Sequence, residues 1–292
     1  MLNQHALGLY EKALPGELGW RERLETAKRM GFDFMEISID ETDERLGRLD
    51  WGRGERRALR EAVWETDMPL RSMCLSGHRR YPFGSEDADA RRRAREILEK
   101  ALAFSADLGI RTIQLAGYDV YYEPSTKKSR QLFLEGLQWA VKEAERYQIM
   151  LSMEIMDTPF LNSITKNELY RRQMHSLWYG VYPDLGNLTA WNNDVEAELC
   201  LGSGSIAAVH LKDTVAVTKE TPGRFKEVPF GAGCVDFIHC FRVLEEMEYT
   251  GPYLMELWYR PGTDAEDEIK KAKSFIEEQF SKAMQLCGED AV

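Results

Sequence analysis

A (β/α)8 barrel is the fold class this chain predicts, on three observations. Eight apolar runs of strand length alternate with longer segments whose apolar residues recur at helical spacing. The chain has 292 residues and no linker-like stretch, a length that one barrel fills. Metal-seeking side chains stand at the ends of the last four runs, where a barrel places its chemistry. A doubly wound open sheet would share the alternation, but no GxGxxG follows the first run. Residues 1–292 are therefore expected to form a single barrel domain.

In chain order the strands are expected at 6–11, 32–40, 71–77, 111–118, 149–156, 179–184, 206–212 and 252–257. These runs are rich in Ile, Val, Leu and Met without strict alternation, the pattern of parallel strands covered on their outer face. A helix is expected over 19–31, ending at Gly31 as its C-cap. Another spans 85–109, opening at Ser85 with an acidic first turn and stopping at Gly109. Segments 125–148 and 263–280 also carry apolar residues at helical spacing, and their charge runs read as solvated faces. The stretch TPGRFKEVPFGAGCVDF (221–237) joins the seventh strand to the next helix and is expected to form part of the barrel mouth.

Composition excludes several function classes. With 38 Lys+Arg against 49 Asp+Glu, the formal charge of −11 argues against a nucleic-acid partner, whose affinity rests on basic phosphate contacts. A small anionic substrate stays compatible, because a local cationic pocket outweighs the global field. The N-terminus has no basic segment followed by an apolar core, and no stretch approaches the ~20 apolar residues that span a bilayer. No membrane partner is expected. Five scattered cysteines without a CxxC pair fit a reducing compartment, so a cytoplasmic location is expected.

The chemistry is carried by Glu154 in LSMEIMD, Asp184 in WYGVYPD, His210 in IAAVHLKD and Glu256 in PYLMEL. They are 30, 26 and 46 residues apart, the spacing of successive βα units rather than of one loop. Two Glu, one Asp and one imidazole make a hard, oxygen-rich set that suits Mn²⁺, Mg²⁺, Co²⁺ or Zn²⁺. Glu154 lies between Met153 and Ile155, and Glu256 between Met255 and Leu257. Burying such a carboxylate unpaired costs several kcal/mol, so each needs a partner or a metal. Buried salt bridges to Lys212 or to arginines are the alternative. Two glutamates across a divalent metal suit proton transfer at carbon, one taking a proton next to a polarised carbonyl and the other returning one to the opposite face. On this reading Glu154 and Glu256 are the catalytic pair. His78 and Arg79, in LSGHRRYPFGS after the third strand, are candidates for substrate contact, against the plainer reading of a solvated loop.

The chain also resembles a known family. LGLYEKALP, GFDFMEISIDETDERLGRLDW, SMCLSGHRRYPFGSED, IQLAGYDVYYE, MEIMDTP, YPDLGNLTAWNNDV, AVHLKDT, FGAGCVDF and GPYLMELW look like the L-ribulose-5-phosphate (L-xylulose-5-phosphate) 3-epimerases of L-ascorbate and related pentose catabolism. The likeness runs from residue 7 to about 285. The wider group is the xylose-isomerase-like TIM barrels, with ketohexose 3-epimerases and an abasic-site endonuclease family. By resemblance Glu154, Asp184, His210 and Glu256 would be metal ligands, and the substrate a sugar phosphate. Ketohexose 3-epimerases carry a histidine three residues after the aspartate ligand; Asn187 stands there instead, which disfavours a free ketohexose. A 5-phosphate needs cationic donors, for which His78, Arg79, Arg80, Lys212 and Lys226 are the candidates. An epimerase or isomerase of another ketose is the second reading. An endonuclease, which needs more histidines than the five here, is the reading from another class. Barrels of this kind often pair, so a homodimer is the assembly the resemblance allows.

Overall fold

A parallel strand with helices outside and partner strands within has no face left for water, and the burial here follows that rule. In the computed structural model, which describes residue 2 and residues 4–290, ten strands are present among the described residues. They are β1 (Leu7–Tyr10), β2 (Phe34–Ile39), β3 (Leu70–Leu75), β4 (Thr112–Ala116), β5 (Met150–Glu154), β6 (Tyr179–Tyr182), β7 (Val209–Leu211), β8 (Asp213–Val215), β9 (Arg224–Val228) and β10 (Tyr253–Met255). Every residue of β1, β2, β6, β7 and β10 is buried. Eight of the ten form one parallel sheet in the order β6-β5-β4-β3-β2-β1-β10-β7. Bridges Val181↔Ile206 and Asp184↔His210 bring its two edges together and close it into a barrel. The (β/α)8 expectation holds, with most strands shorter than expected and the third beginning one residue earlier, at Leu70.

Alternate residues of the strands fill the interior. At one level Tyr10, Phe34, Cys74 and Leu254 form an apolar plug separate from the strand–helix core. Gly8 has to be glycine there: a Cβ would lie 2.3 Å from the Phe34 ring and 2.7 Å from Leu254 Cδ1. The helices sit where helical periodicity places them, with two adjustments. The helix Ala88–Leu108 is capped by Asp87, whose side chain accepts from the Asp89 amide, rather than by Ser85. The last helix runs Ala265–Asp290, longer than expected. Gly109, at φ 78°, ends its helix as expected.

Two features organise the catalytic end. After β1, Glu11 is fully buried and accepts from Arg48 Nη1 at 2.9 and 2.8 Å and from the Ser38 amide at 2.8 Å, with Arg23 and Arg45 at 3.3 and 3.4 Å. Deleting one member of such a buried ion cluster costs roughly 3–5 kcal/mol, which ties the β1 loop to the end of β2. After β7 the chain forms an antiparallel ribbon, β8–β9, within the connection expected to reach the barrel mouth. Its base is fixed by buried Asp213, which accepts from the amides of Gly231 and Gly233 at 2.9 Å. A Cβ at Gly233 would lie 2.1 Å from Asp213 Oδ1, so this close approach also demands glycine. Among the described residues, no helix is long and apolar enough to cross a membrane.

Candidate active site

Strand register brings the four predicted ligands to one level of the barrel. Glu154 is the last residue of β5, His210 is central in β7, and Asp184 and Glu256 follow β6 and β10 directly or within two residues. The Asp184↔His210 bridge and the Glu256 amide donating to Leu211 O at 3.0 Å lock these levels together. Asp184 also caps the helix Leu185–Ala190: its Oδ1 accepts from the Asn187 amide at 2.8 Å, which leaves Oδ2 for the centre.

All four side chains are buried, and one donor atom from each lies within 4.8 Å of every other. His210 Nδ1 stands 3.2 Å from Glu154 Oε1, 3.6 Å from Glu256 Oε2 and 3.8 Å from Asp184 Oδ2. Metal–ligand bonds of about 2.0–2.2 Å would set neighbouring donors roughly 3–3.5 Å apart, so this spacing is close to what a cation needs. The salt-bridge alternative is present only in part. Lys212 Nζ lies 2.6 Å from Asp184 Oδ2 and 3.1 Å from Glu256 Oε2, so one ammonium is shared by two carboxylates and leaves Glu154 without a lysine or arginine among the described residues. Neither of those two oxygens accepts a well-formed hydrogen bond. Orphaned donors in a buried, oxygen-rich cluster fit a divalent cation.

The same crowding shifts proton affinities. Burial, with Glu154 and Asp184 nearby, outweighs Lys212 and His210 and pushes Glu256 up to about 7. Burial alone would raise Asp184, but Lys212 and His210 overcome it and hold this carboxyl below its usual range. Burial would lower His210 too; Glu256, Asp184, Glu154 and Glu36 outweigh it and raise the imidazole.

Glu154 and Glu256 line a solvent-open cleft of about 440 Å³, whose walls also include Tyr10, Lys12, Arg79, Asp157, Lys226 and Trp258. Arg79 reaches it half-buried, its guanidinium 5.4 and 5.2 Å from the rings of Tyr118 and Tyr121, with its buried Nε lacking a hydrogen-bond partner. Asn187 lines the cavity, donating from Nδ2 to Ile155 O at 2.7 Å and leaving Oδ1 without a hydrogen-bond partner. Lys226 arrives on β9, 5.9 Å from the Trp258 ring. His78 does not join them. Its Nε2 lies 3.1 Å from Ala94 O and its ring packs 4.5 Å from Phe83, while burial lowers the imidazole to about 4. It is a neutral packing residue between the third strand and its helix. Arg80 pairs with Asp43 at the surface, 2.6 Å away. Reading the sequence alone passes over Lys12, Asp157 and Glu36; of these, only Glu36 had a visible signal, a charge set between Met35 and Ile37 within an apolar strand.

Known proteins resemble this chain in both sequence and fold. Residues 24–279 match the model of the xylose isomerase-like TIM barrel family. A protein named putative L-ribulose-5-phosphate 3-epimerase SgbU, from Escherichia coli K12, is 54% identical over 98% of this chain and 100% of its own length. L-ribulose-5-phosphate 3-epimerase UlaE of Escherichia coli O139:H28 is 51% identical, with 96% of each chain covered. Among solved structures, an L-ribulose 3-epimerase superposes with a TM-score of 0.78 at 18% identity, covering 99% of this chain and 98% of that one. At that identity the superposition speaks for the fold alone.

Proposed function

Because the chain belongs to the xylose isomerase-like TIM barrel family and, at 51–54% identity over nearly its whole length, to the L-ribulose-5-phosphate 3-epimerases within it, we propose that it is an isomerase interconverting L-ribulose 5-phosphate and L-xylulose 5-phosphate. The observation that carries this reading is the buried quartet Glu154, Asp184, His210 and Glu256, with two glutamates brought in by different strands. These four residues would hold a divalent cation from the group Mn²⁺, Zn²⁺, Co²⁺ and Mg²⁺. Such a cation supplies polarisation of the C2 carbonyl and offsets the charge of an enediolate.

The protein's own part is proton transfer. One glutamate takes the C3 proton, the C–H electron pair becomes the C2–C3 double bond of the enediolate, and the other glutamate returns a proton to the opposite face. Reversing the roles runs the reaction backwards. Lys212, at the rim of the quartet, and Asn187 are placed to meet substrate oxygens. Arg79 and Lys226, with Lys12, supply the positive charge a 5-phosphate requires.

Metal-loaded protein incubated with L-ribulose 5-phosphate in D₂O should incorporate deuterium at C3 while the 3-epimer accumulates, both followed by NMR. A protein that leaves C3 protiated would overturn the assignment. The phosphate grip is tested separately by Arg79→Gln. Its expected effect is a KM raised about 10–100-fold for the phosphorylated substrate, as for loss of a charge-assisted contact, with little change toward unphosphorylated L-ribulose. Equal losses on both substrates would remove Arg79 from that role.

A further inference from the structure

Glu36 is buried at zero exposure on β2, and its position calls for an explanation that the four proposed ligands do not provide. It reaches across the barrel interior toward β7, three places away in the sheet order. Its Oε1 lies 3.5 Å from His210 Nε2. Both atoms are buried and neither has a formed hydrogen bond, so each is the other's evident partner. Its Oε2 accepts from the Tyr182 hydroxyl at 3.4 Å. Among the described residues no Lys or Arg pairs with it, and the interior one layer away is apolar, built from Phe34, Leu254 and Cys74. A residue needed only for volume would be apolar here, because a buried carboxylate is costly unless it is hydrogen-bonded.

His210 explains the choice. Its ring has one nitrogen toward Glu154, Asp184 and Glu256 and the other toward Glu36. We propose that Glu36 is a positioning residue of the metal centre: it accepts the proton of His210 Nε2 and so turns the Nδ1 lone pair toward the three carboxylates. Metal-binding imidazoles commonly donate their second N–H to a carboxylate, which fixes the tautomer and makes the ligand more basic. Tyr182 supports both partners, since its hydroxyl meets Glu36 and its ring lies edge-on to His210 with centroids 4.5 Å apart. The proposal rests on the quartet being a metal site, as argued above.

The experiment compares wild type and Glu36→Gln, an isosteric change that removes the charge and keeps the volume. Affinity for Co²⁺ and Zn²⁺ is measured by competition with a chromophoric chelator, and the visible bands of the Co²⁺ form are recorded. Glu36→Gln should bind each metal 10–100-fold more weakly and shift the Co²⁺ bands. A purely structural Glu36 predicts the reverse, an altered melting temperature with unchanged metal affinity. Affinity within twofold of wild type, with the same Co²⁺ spectrum, would overturn the proposal. Should Glu36→Gln not fold, Tyr182→Phe decides. Loss of the hydroxyl that orients Glu36 should weaken Co²⁺ binding several-fold and shift its bands, and no change would overturn the proposal. A wild type that binds neither metal would instead sink the metal reading itself, a result the titration separates from the others.

Discussion

Glu256→Gln and Glu154→Gln are each expected to lower kcat for epimerisation by about 10⁴-fold, the upper end of what a positioned proton-transfer group contributes. The substitution keeps the volume of a side chain that is 8% exposed at 256 and 5% at 154, so the barrel should tolerate it. What is lost is the proton acceptor and one anionic donor to the centre. At 256 the ammonium of Lys212 keeps its 2.6 Å partner Asp184, so no buried cation is stranded. Because the two glutamates act as a unit on opposite faces, the double variant should be little worse than either single one. The sharper readout is C3 exchange in D₂O with each epimer separately. Any exchange that survives in a single variant should be confined to the epimer whose C3–H faces the remaining glutamate. Turnover within tenfold of wild type in either variant would refute the two-base scheme.

The site was legible to the extent that burial contradicts charge. Glu154 and Glu256 stood out because each interrupts an apolar strand, and such an interruption is costly unless something compensates it. Glu36 obeys the same rule between Met35 and Ile37, and Glu11 follows an apolar strand in the same way. Both could have been flagged by the criterion that found the ligands; they lack only the regular spacing that made the quartet conspicuous. His78 lies outside the cavity because a position after a strand does not by itself aim a side chain inward. The short 3₁₀ turn Ser76–Arg79 sends Arg79 toward the cavity and His78 back into packing against Phe83, and no residue pattern distinguishes neighbours on such a turn. The β8–β9 ribbon escaped because Arg224–Val228 is mostly exposed, so hydrophobic periodicity left no trace there. Its consequence is functional, since it is what carries Lys226 to the cavity.

Chelation should abolish turnover and leave the barrel folded. The reason lies in the charge balance of the quartet. Without a cation, Lys212 sits against Asp184 and Glu256, the surrounding carboxylates raise the proton affinity of His210, and burial raises that of Glu256. Lys212 thus offsets part of the carboxylate charge directly, and the raised proton affinities offset more of it, which limits the unpaired burial that would unfold a core. Catalysis has no such substitute, because neither Lys212 nor His210 offers the double-charged Lewis acid that an enediolate needs. Metal entry has to displace a proton, so affinity should fall as the medium is acidified. Restoring Mn²⁺, Co²⁺, Zn²⁺ or Mg²⁺ one at a time should recover activity in an order that names the preferred ion. At free metal of 100 times Kd the folded state gains ≈ 2.7 kcal/mol, which for a chain of this length raises Tm by roughly 4 °C. Calorimetry with and without chelator measures that shift, and full turnover in protein shown by elemental analysis to be free of metal would end the proposal.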